Sequence, residues 1–243
     1  MITNENRIGK FTSSEIWKLM KDGRKKGEPG APFLDYVMEK RFEKKLKRSI
    51  DAEVTARPLS WGKCLEKKVF AELGIRYREC SVETIVHPEY SFWAGSPDGT
   101  KDDNGVITIA EIKCPYTLKS FCQFVDYEGD GYEIIGAIRE NHNDGEKYYW
   151  QCISNAILTG ASVGELIIYM PYKHELSEIK QLACNMDSFD QWRYKWIDTA
   201  DEEELPYLVK EGVYKNLNVI RWEINPLDKE ALTERVLMAS KML

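Results

Sequence analysis

Residues 93–115 read WAGSPDGTKDDNGVITIAEIKCP. The run Val106–Ile112 is mostly apolar and β-branched, the composition of a half-buried strand. It ends by setting a carboxylate and an ammonium two residues apart, Glu111 and Lys113. Residues i and i+2 of a strand share a face, so these two side chains point the same way and Ile112 points into the core. Asp98 lies in a turn shaped by Pro97 and Gly99, where a hairpin can return it beside Glu111. Two converging carboxylates repel unless a cation separates them. With no histidine in the set, hard oxygen ligands favour magnesium or manganese over zinc. The Ile112 carbonyl offers a further ligand. Lys113 can position an attacking water or help to deprotonate it, while a metal acidifies that water and steadies charge on phosphorus. The pattern suits metal-assisted phosphodiester hydrolysis.

Outward from this stretch, the chain alternates helical and extended patterns. FTSSEIWKLM (11–20) reads as a helix start capped by Thr12, Ser13 or Ser14. KDGRKKGEPGAP (21–32) reads as a mobile basic loop. Residues 33–46 read as an amphipathic helix with a basic outer face, and 60–73 as another, closed by Gly74. Strands are predicted near 75–86, 90–95 and 105–113, the last two joined by an Asp/Asn/Gly turn. A helix over 146–159 and a buried strand over 166–172 follow. Two or three helices end the chain, the last starting at Asn225-Pro226. The order predicts an α/β (α+β) fold, a mixed central sheet flanked by helices.

The 243 residues, 43% of them apolar, suffice for one domain with a full core. We expect a single domain over 1–243, its core at about 7–175 and a helical extension at about 176–243. No apolar run approaches a membrane span and no signal-peptide pattern opens the chain, so a cytoplasmic location is expected. The six cysteines form no CxxC pair and read as buried thiols. His87, His142 and His174 do not cluster, which leaves them surface or structural roles. Net charge is −6, but it is uneven. Residues 1–80 carry +7 (19 Lys and Arg against 12 Asp and Glu) and the remainder −13 (15 against 28). A basic N-terminal third suits a surface that faces a polyanion.

Asp98 with Glu111-Ile112-Lys113 resembles the signature of the PD-(D/E)xK nuclease superfamily, whose core is restriction-endonuclease-like. More narrowly, the chain resembles the lambda exonuclease family of YqaJ-like viral recombinases. The resemblance is carried by Arg7-Ile-Gly-Lys-Phe-Thr-Ser-Ser14-Glu, Leu59-Ser-Trp-Gly-Lys-Cys-Leu-Glu66, Ala94-Gly-Ser96-Pro-Asp98-Gly, Glu111-Ile-Lys113-Cys-Pro and Tyr149-Trp-Gln151, in the family's order. These motifs span residues 7 to about 160.

The resemblance implies a magnesium-dependent exonuclease that degrades one strand of linear double-stranded DNA from its 5′ end. The 3′ single-stranded tail would serve phage-type recombination in a bacterial cytoplasm. It implies two Mg²⁺ ions, with Mn²⁺ able to substitute, held by Asp98, Glu111, the Ile112 carbonyl and Glu66, with Lys113 at the water. It implies a 5′-phosphate pocket of Arg7, Ser14, Ser96 and Gln151. Leu59 matches an apolar wedge that splits the duplex end, and Arg24 a DNA contact beside Lys25 and Lys26. Lys119 stands where the family can carry an arginine, keeping the charge without the fork. The family also implies a closed ring, commonly a trimer, and a single-strand annealing partner. Two rivals share the core: a structure-specific endonuclease or nickase, and an inactive DNA-end-binding scaffold. The stretch DSFDQWRYKW (187–196) reads as core or partner packing, with base stacking the alternative.

Overall fold

The computed structural model describes residues 5–50, 56–74, 76–80, 83–186 and 191–243. The expected strand over 75–86 and the aromatic stretch over 187–196 each lie partly outside them. In chain order the elements are β1 (Phe11–Thr12), α1 (Ala31–Leu46), α2 (Arg57–Leu73), β2 (Arg78–Glu79), β3 (Ile85–Val86), β4 (Trp93–Gly95), β5 (Gly99–Asp103) and β6 (Val106–Lys113). Then come α3 (Leu118–Val125), α4 (Gly131–Asn141), α5 (Gly145–Thr159), β7 (Val163–Tyr169), α6 (Leu176–Cys184), α7 (Lys195–Thr199), β8 (Leu217–Glu223) and α8 (Pro226–Ser240).

The main sheet has five strands in the order β2-β5-β6-β7-β8. Only the β6–β7 pair is parallel, so the sheet is mixed. Every residue of β7 is buried, as a central strand between two helical layers requires. One layer packs Trp61, Leu65 and Val69 of α2 with Leu176 and Ile179 of α6 against Ala110, Ile112, Ile167 and Tyr169. The other packs Ile153 and Ala156 of α5 with Leu232 and Val236 of α8, on the face that carries Ile109, Leu166 and Ile168. A second, three-stranded sheet runs β1-β4-β3. It seats the N-terminal residues beside the main sheet, with Phe11 opposite Trp93 and Thr12 opposite Ala94. Among the described residues no helix is long and apolar enough to cross a membrane.

The expected joining of the strands near 90–95 and 105–113 by one turn is corrected. The strand ending at Gly95 belongs to the small sheet, and the hairpin partner of β6 is β5. The Asp/Asn/Gly turn joins β5 to β6, with Asn104 and Gly105 both at positive φ (56° and 88°). Two left-handed residues give the hairpin turn whose twist matches the flanking strands. The segment read as one strand over 75–86 divides into β2 and β3, which join different sheets.

The stretch 11–20 is β1 followed by a five-residue 3-10 turn, Ile16–Met20, without a side-chain cap. Thr12, Ser13 and Ser14 therefore do not cap an α-helix. Strand pairing claims their backbone: Ser13 N–H donates to the Ala94 carbonyl at 3.0 Å. Helix α2 starts at Arg57, earlier than its apolar pattern, because Pro58 suits a first turn. Helix α8 starts as read, with the Asn225 side chain accepting from Leu227 N–H at 3.0 Å. Helices α3 and α4 and strand β8 were not read from the sequence. The segment after residue 175 thus supplies an edge strand of the main sheet as well as helices.

Two further expectations change. The loop over 21–32 is tied down. Arg235 of α8, 8% exposed, donates to the carbonyls of Leu19 (2.7 Å), Gly27 (2.8 Å) and Lys21 (3.0 Å) and pairs with Asp22 at 3.1 Å. On α1 the buried face includes Lys40 and Glu43, paired at 3.0 Å, and Glu43 also accepts from Gly9 N–H at 2.8 Å. That pairing satisfies the buried charges, and the outer face exposes Leu34, Met38, Phe42 and Leu46 among its basic residues.

Candidate active site

The β5–β6 register places Gly99 opposite Ala110. Asp98 immediately precedes Gly99, so the antiparallel count carries it alongside Glu111. Its Oδ2 accepts from Ile112 N–H at 2.7 Å, and its own carbonyl accepts from Cys80 N–H at 2.8 Å. The turn carrying Asp98 is thereby held from both neighbouring strands. Glu111 is 1% exposed on the α5 side of the sheet, while Ile112 packs on the α2 side. Lys113 Nζ donates to Glu111 Oε1 at 2.7 Å and lies 4.6 Å from the centre of the Tyr148 ring.

Helix α5 supplies the other partners of Glu111. Gln151 Nε2 donates to Oε1, and Asn155 Nδ2 donates to Oε2 at 3.5 Å. Tyr148, Gln151 and Asn155 recur at i, i+3 and i+7, one face of a helix. That spacing is the signal that could have found Tyr148 and Asn155 beside Gln151.

The electrostatics are those of crowded acids around one buried base. Burial, then the neighbouring Asp98, push Glu111 up to about 8. Burial and Asp98 likewise push Glu66 up to about 7, with Lys113 opposing. Asp98 is raised by burial, against Lys113 and the Ile112 amide, and it takes a hydrogen bond from the Glu111 carboxyl. Burial alone would lower Lys113, but Glu111 and Asp98 outweigh it and hold the ammonium above its ordinary value. Glu66 from α2 thus lies within electrostatic reach of Asp98 from the turn and Glu111 from β6. Protons and one lysine supply the positive charge that holds them.

The donors suit a hard divalent cation in kind: carboxylates, a strand-end carbonyl and no imidazole. Among the described residues no three acidic, histidine or cysteine side chains stand ready-made as a metal cage. Asp98, Glu111, Glu66 and the Ile112 carbonyl are the groups that would hold such a cation, whose charge would offset the repulsion between the acids.

The residues read as a phosphate pocket divide. Arg7 Nη2 donates to Ser14 Oγ at 3.5 Å. Ser14 and Ser96 each lie two residues beyond the last pair that joins β1 to β4, Thr12 and Ala94. Ser96 Oγ is 3.5 Å from Thr84 Oγ1, and Gln151 turns to Glu111 instead. A Cβ at Gly95 would collide with Ser13 Oγ and Asn155 Oδ1, so the glycine lets α5 close on the small sheet. Leu59 is 53% exposed on the first turn of α2. Arg24, Lys25 and Lys26 are exposed in the loop held by Arg235, and Lys119 is exposed on α3. All three histidines have structural or surface settings: His87 stacks on Trp93, buried His142 on Phe124, and exposed His174 on Tyr172.

The model of the YqaJ-like viral recombinase domain matches residues 4–162. No curated protein matches the chain. Among solved structures, LHK-Exo in complex with dAMP is similar at 17% identity and a TM-score of 0.58, over 99% of this chain and 91% of that one. The alkaline exonuclease LHK-Exo from Laribacter hongkongensis matches at 17% identity and 0.57, over 97% and 89%. A phage-related exonuclease from Haemophilus somnus 129PT matches at 14% identity and 0.58, over 96% and 92%. At these identities the structural likeness speaks for the fold, and the fold is that of phage-type nucleases. The domain match takes in all the motifs from Arg7 to Gln151, and with it the chain belongs to the YqaJ-like viral recombinase family, the exonuclease family its sequence resembles.

Proposed function

We propose that the protein is a magnesium-dependent exonuclease. It degrades the 5′-ended strand of linear double-stranded DNA and leaves a 3′ single-stranded tail. The observation that carries this reading is the buried convergence of Asp98, Glu111 and Lys113 at the end of β6, with Glu66 electrostatically coupled to it. Asp98, Glu111, Glu66 and the Ile112 carbonyl would hold two Mg²⁺ ions, or Mn²⁺. Bound there, the metal lowers the pKa of a water and stabilises the attacking and leaving oxygens.

The chain's own residues do the rest. Lys113 is held charged by Glu111 and Asp98, so it acts as a donor that orients the water or a phosphoryl oxygen, not as a neutral base. The Tyr148 ring below it restricts where the ammonium can go. Gln151 and Asn155 hold Glu111 in one rotamer from a helix, a more rigid support than a loop. Arg7 and Ser14 supply a charged fork and a hydroxyl for a terminal phosphate, Ser96 offers a second hydroxyl, and Gln151 serves the site through Glu111. Leu59 splits the duplex end. Arg24, Lys25, Lys26 and Lys119 contact phosphates without reading sequence.

We place these functions on one nuclease domain over 1–243, in a bacterial cytoplasm and of phage or prophage origin. It works as a closed homo-oligomeric ring, a trimer by preference, with a single-strand annealing protein receiving the 3′ tail. The exposed apolar row Leu34, Met38, Phe42 and Leu46 supports a contact between copies. The test is a magnesium time course on linear duplex bearing 5′-phosphate, linear duplex bearing 5′-hydroxyl, and closed circles, beside Lys113→Ala. Preferred loss of 5′-phosphorylated linear DNA, intact circles and an inactive variant are expected. Circles cut as fast as linear DNA would refute the end-dependent reading.

A further inference from the structure

The first turns of α2 and the segment 191–196 line a half-open cavity of about 410 Å³. That is the size of a small-ligand site. Its wall includes Arg57, Leu59, Lys63, Trp192, Arg193 and Trp196. Among the described residues that line it none is acidic, in a chain whose net charge is −6. Trp192 is 62% exposed, a high value for the largest aromatic side chain. The Arg193 guanidinium lies 5.3 Å from the centre of the Trp192 ring, and that of Arg57 5.1 Å from Trp196.

The second tryptophan is fixed. Trp196 Nε1 donates to Ser60 Oγ at 2.9 Å, and its ring meets Trp61 and Tyr116 at 6.4 and 5.7 Å. Tyr116 follows the Glu111-Ile-Lys-Cys-Pro motif directly, so an aromatic chain runs from the cavity to the end of the candidate metal strand. Leu59 and Glu66 stand seven residues apart on α2. At the helical rise that is roughly 10 Å, about three nucleotide steps of a stacked strand.

We propose that this cavity is a binding site for unpaired DNA, in which a base stacks on Trp192 while Arg57 and Lys63 take the flanking phosphates. Exposed aromatics interleaved with cations are what single strands require, and stacking is tolerant of sequence. The assignment of the occupant to a strand freed at a duplex end rests on the exonuclease reading, because Leu59 is both the proposed wedge and a wall of the cavity. The site would hold the separated strand within a few nucleotides of the cleavage centre. Within 191–196, Trp196 packs against the core and Trp192 does not, while 187–190 lie outside the described residues.

The test is fluorescence anisotropy of a labelled oligothymidylate on the full-length protein in EDTA, where no cleavage competes. Trp192→Ala is expected to weaken binding about tenfold, the loss of one stacked base, and Trp192→Phe to stay within about threefold. Lys63→Ala is expected to reduce the slope of log affinity against log salt by about 0.7. The melting temperature of Trp192→Ala is expected to match the parent. Equal oligothymidylate affinity for parent and Trp192→Ala overturns the proposal. So does a change of oligomeric state in Trp192→Ala without a change in affinity, which would make the face a contact between copies. A magnesium assay on linear duplex separates the two readings. Duplex left uncut with Trp192-dependent binding intact refutes the exonuclease reading alone. Duplex cut without Trp192-dependent binding refutes the cavity alone.

Discussion

Replacing Arg235 with methionine keeps much of the side chain's bulk and removes its guanidinium. Three carbonyls then lose a charged donor, those of Leu19, Lys21 and Gly27, and Asp22 loses its ion pair. The losses are unequal. Gly27 is exposed and Lys21 half-buried, so water can replace the donor there. Leu19 is 0% exposed, and its carbonyl would stay buried without its charged partner. A charged hydrogen bond contributes about 1.5–3 kcal/mol, and an orphaned buried acceptor costs about 1–3 kcal/mol. With partial rescue by solvent, the sum is about 3–5 kcal/mol, the range for breaking a buried ionic contact. In a chain of this size each kcal/mol moves the melting temperature by about 2–4 °C, so a fall of about 6–20 °C is expected. Differential scanning calorimetry measures it. Limited trypsin digestion reads the local effect, because the loop tied by Arg235 carries Arg24, Lys25 and Lys26. Cleavage there should precede cleavage elsewhere in the variant and not in the parent. A fall under about 2 °C with an unchanged digestion pattern would refute the reasoning. The clamp would then be a contact without energetic weight.

Lys113→Ala is expected to lower magnesium-dependent cleavage by about 10²–10⁴, the usual worth of a positioned proton-transfer or donor group. DNA affinity in EDTA should be retained, and a variant that still cleaves within tenfold of the parent would remove Lys113 from the reaction. Magnesium affinity, followed by calorimetric titration, should rise with pH between about 6 and 8. Glu66, raised to about 7, and Glu111, raised to about 8, must lose their protons to solvent before their carboxylates can bind the cation. The metal-free protein should show the matching stability trend. A carboxyl with a raised folded pKa keeps its proton after the unfolded chain has lost it. Stability therefore falls as pH climbs from about 4.5 to about 8, and magnesium should suppress the fall. A stability that rises over that window would contradict the crowded-acid site. Charge reversal at Lys25 and Lys26 should weaken duplex binding and lower its salt slope by about two, measured by anisotropy from low to high salt.

Much of this was legible in the chain because it depends on neighbours in sequence. Strand alternation alone puts Glu111 and Lys113 on one face and Ile112 on the other, and the structure separates them in that way. Asn225-Pro226 starts α8 where the cap chemistry requires it. Asn104-Gly105 was legible as a turn, but its partner strand was not. Strand β5 is GTKDD, with no apolar alternation to mark it. It is a strand because β2 and β6 bond to it from either side. Strand β8 was hidden for a related reason. Its buried residues, Ile220 and Trp222, are few, and it gains its place by pairing with β7 along its whole length.

The site divides along the same line. Sequence alone named the candidate groups: carboxylates, one lysine and no histidine. It also determined the face of the strand on which they lie. Tertiary structure decided what each group meets. Asp98 stands beside Glu111 because of the β5–β6 register, which a one-residue slip would abolish. Gln151 holds Glu111 because α5 packs on that side of the sheet, and the same packing brings Tyr148 under Lys113. Ser14 lost its helix cap because strand pairing offered its neighbours better bonds. Local periodicity determines the direction of a side chain, but its partner comes from a distant part of the chain. That choice is made only when buried polar groups and apolar faces must all be satisfied at once.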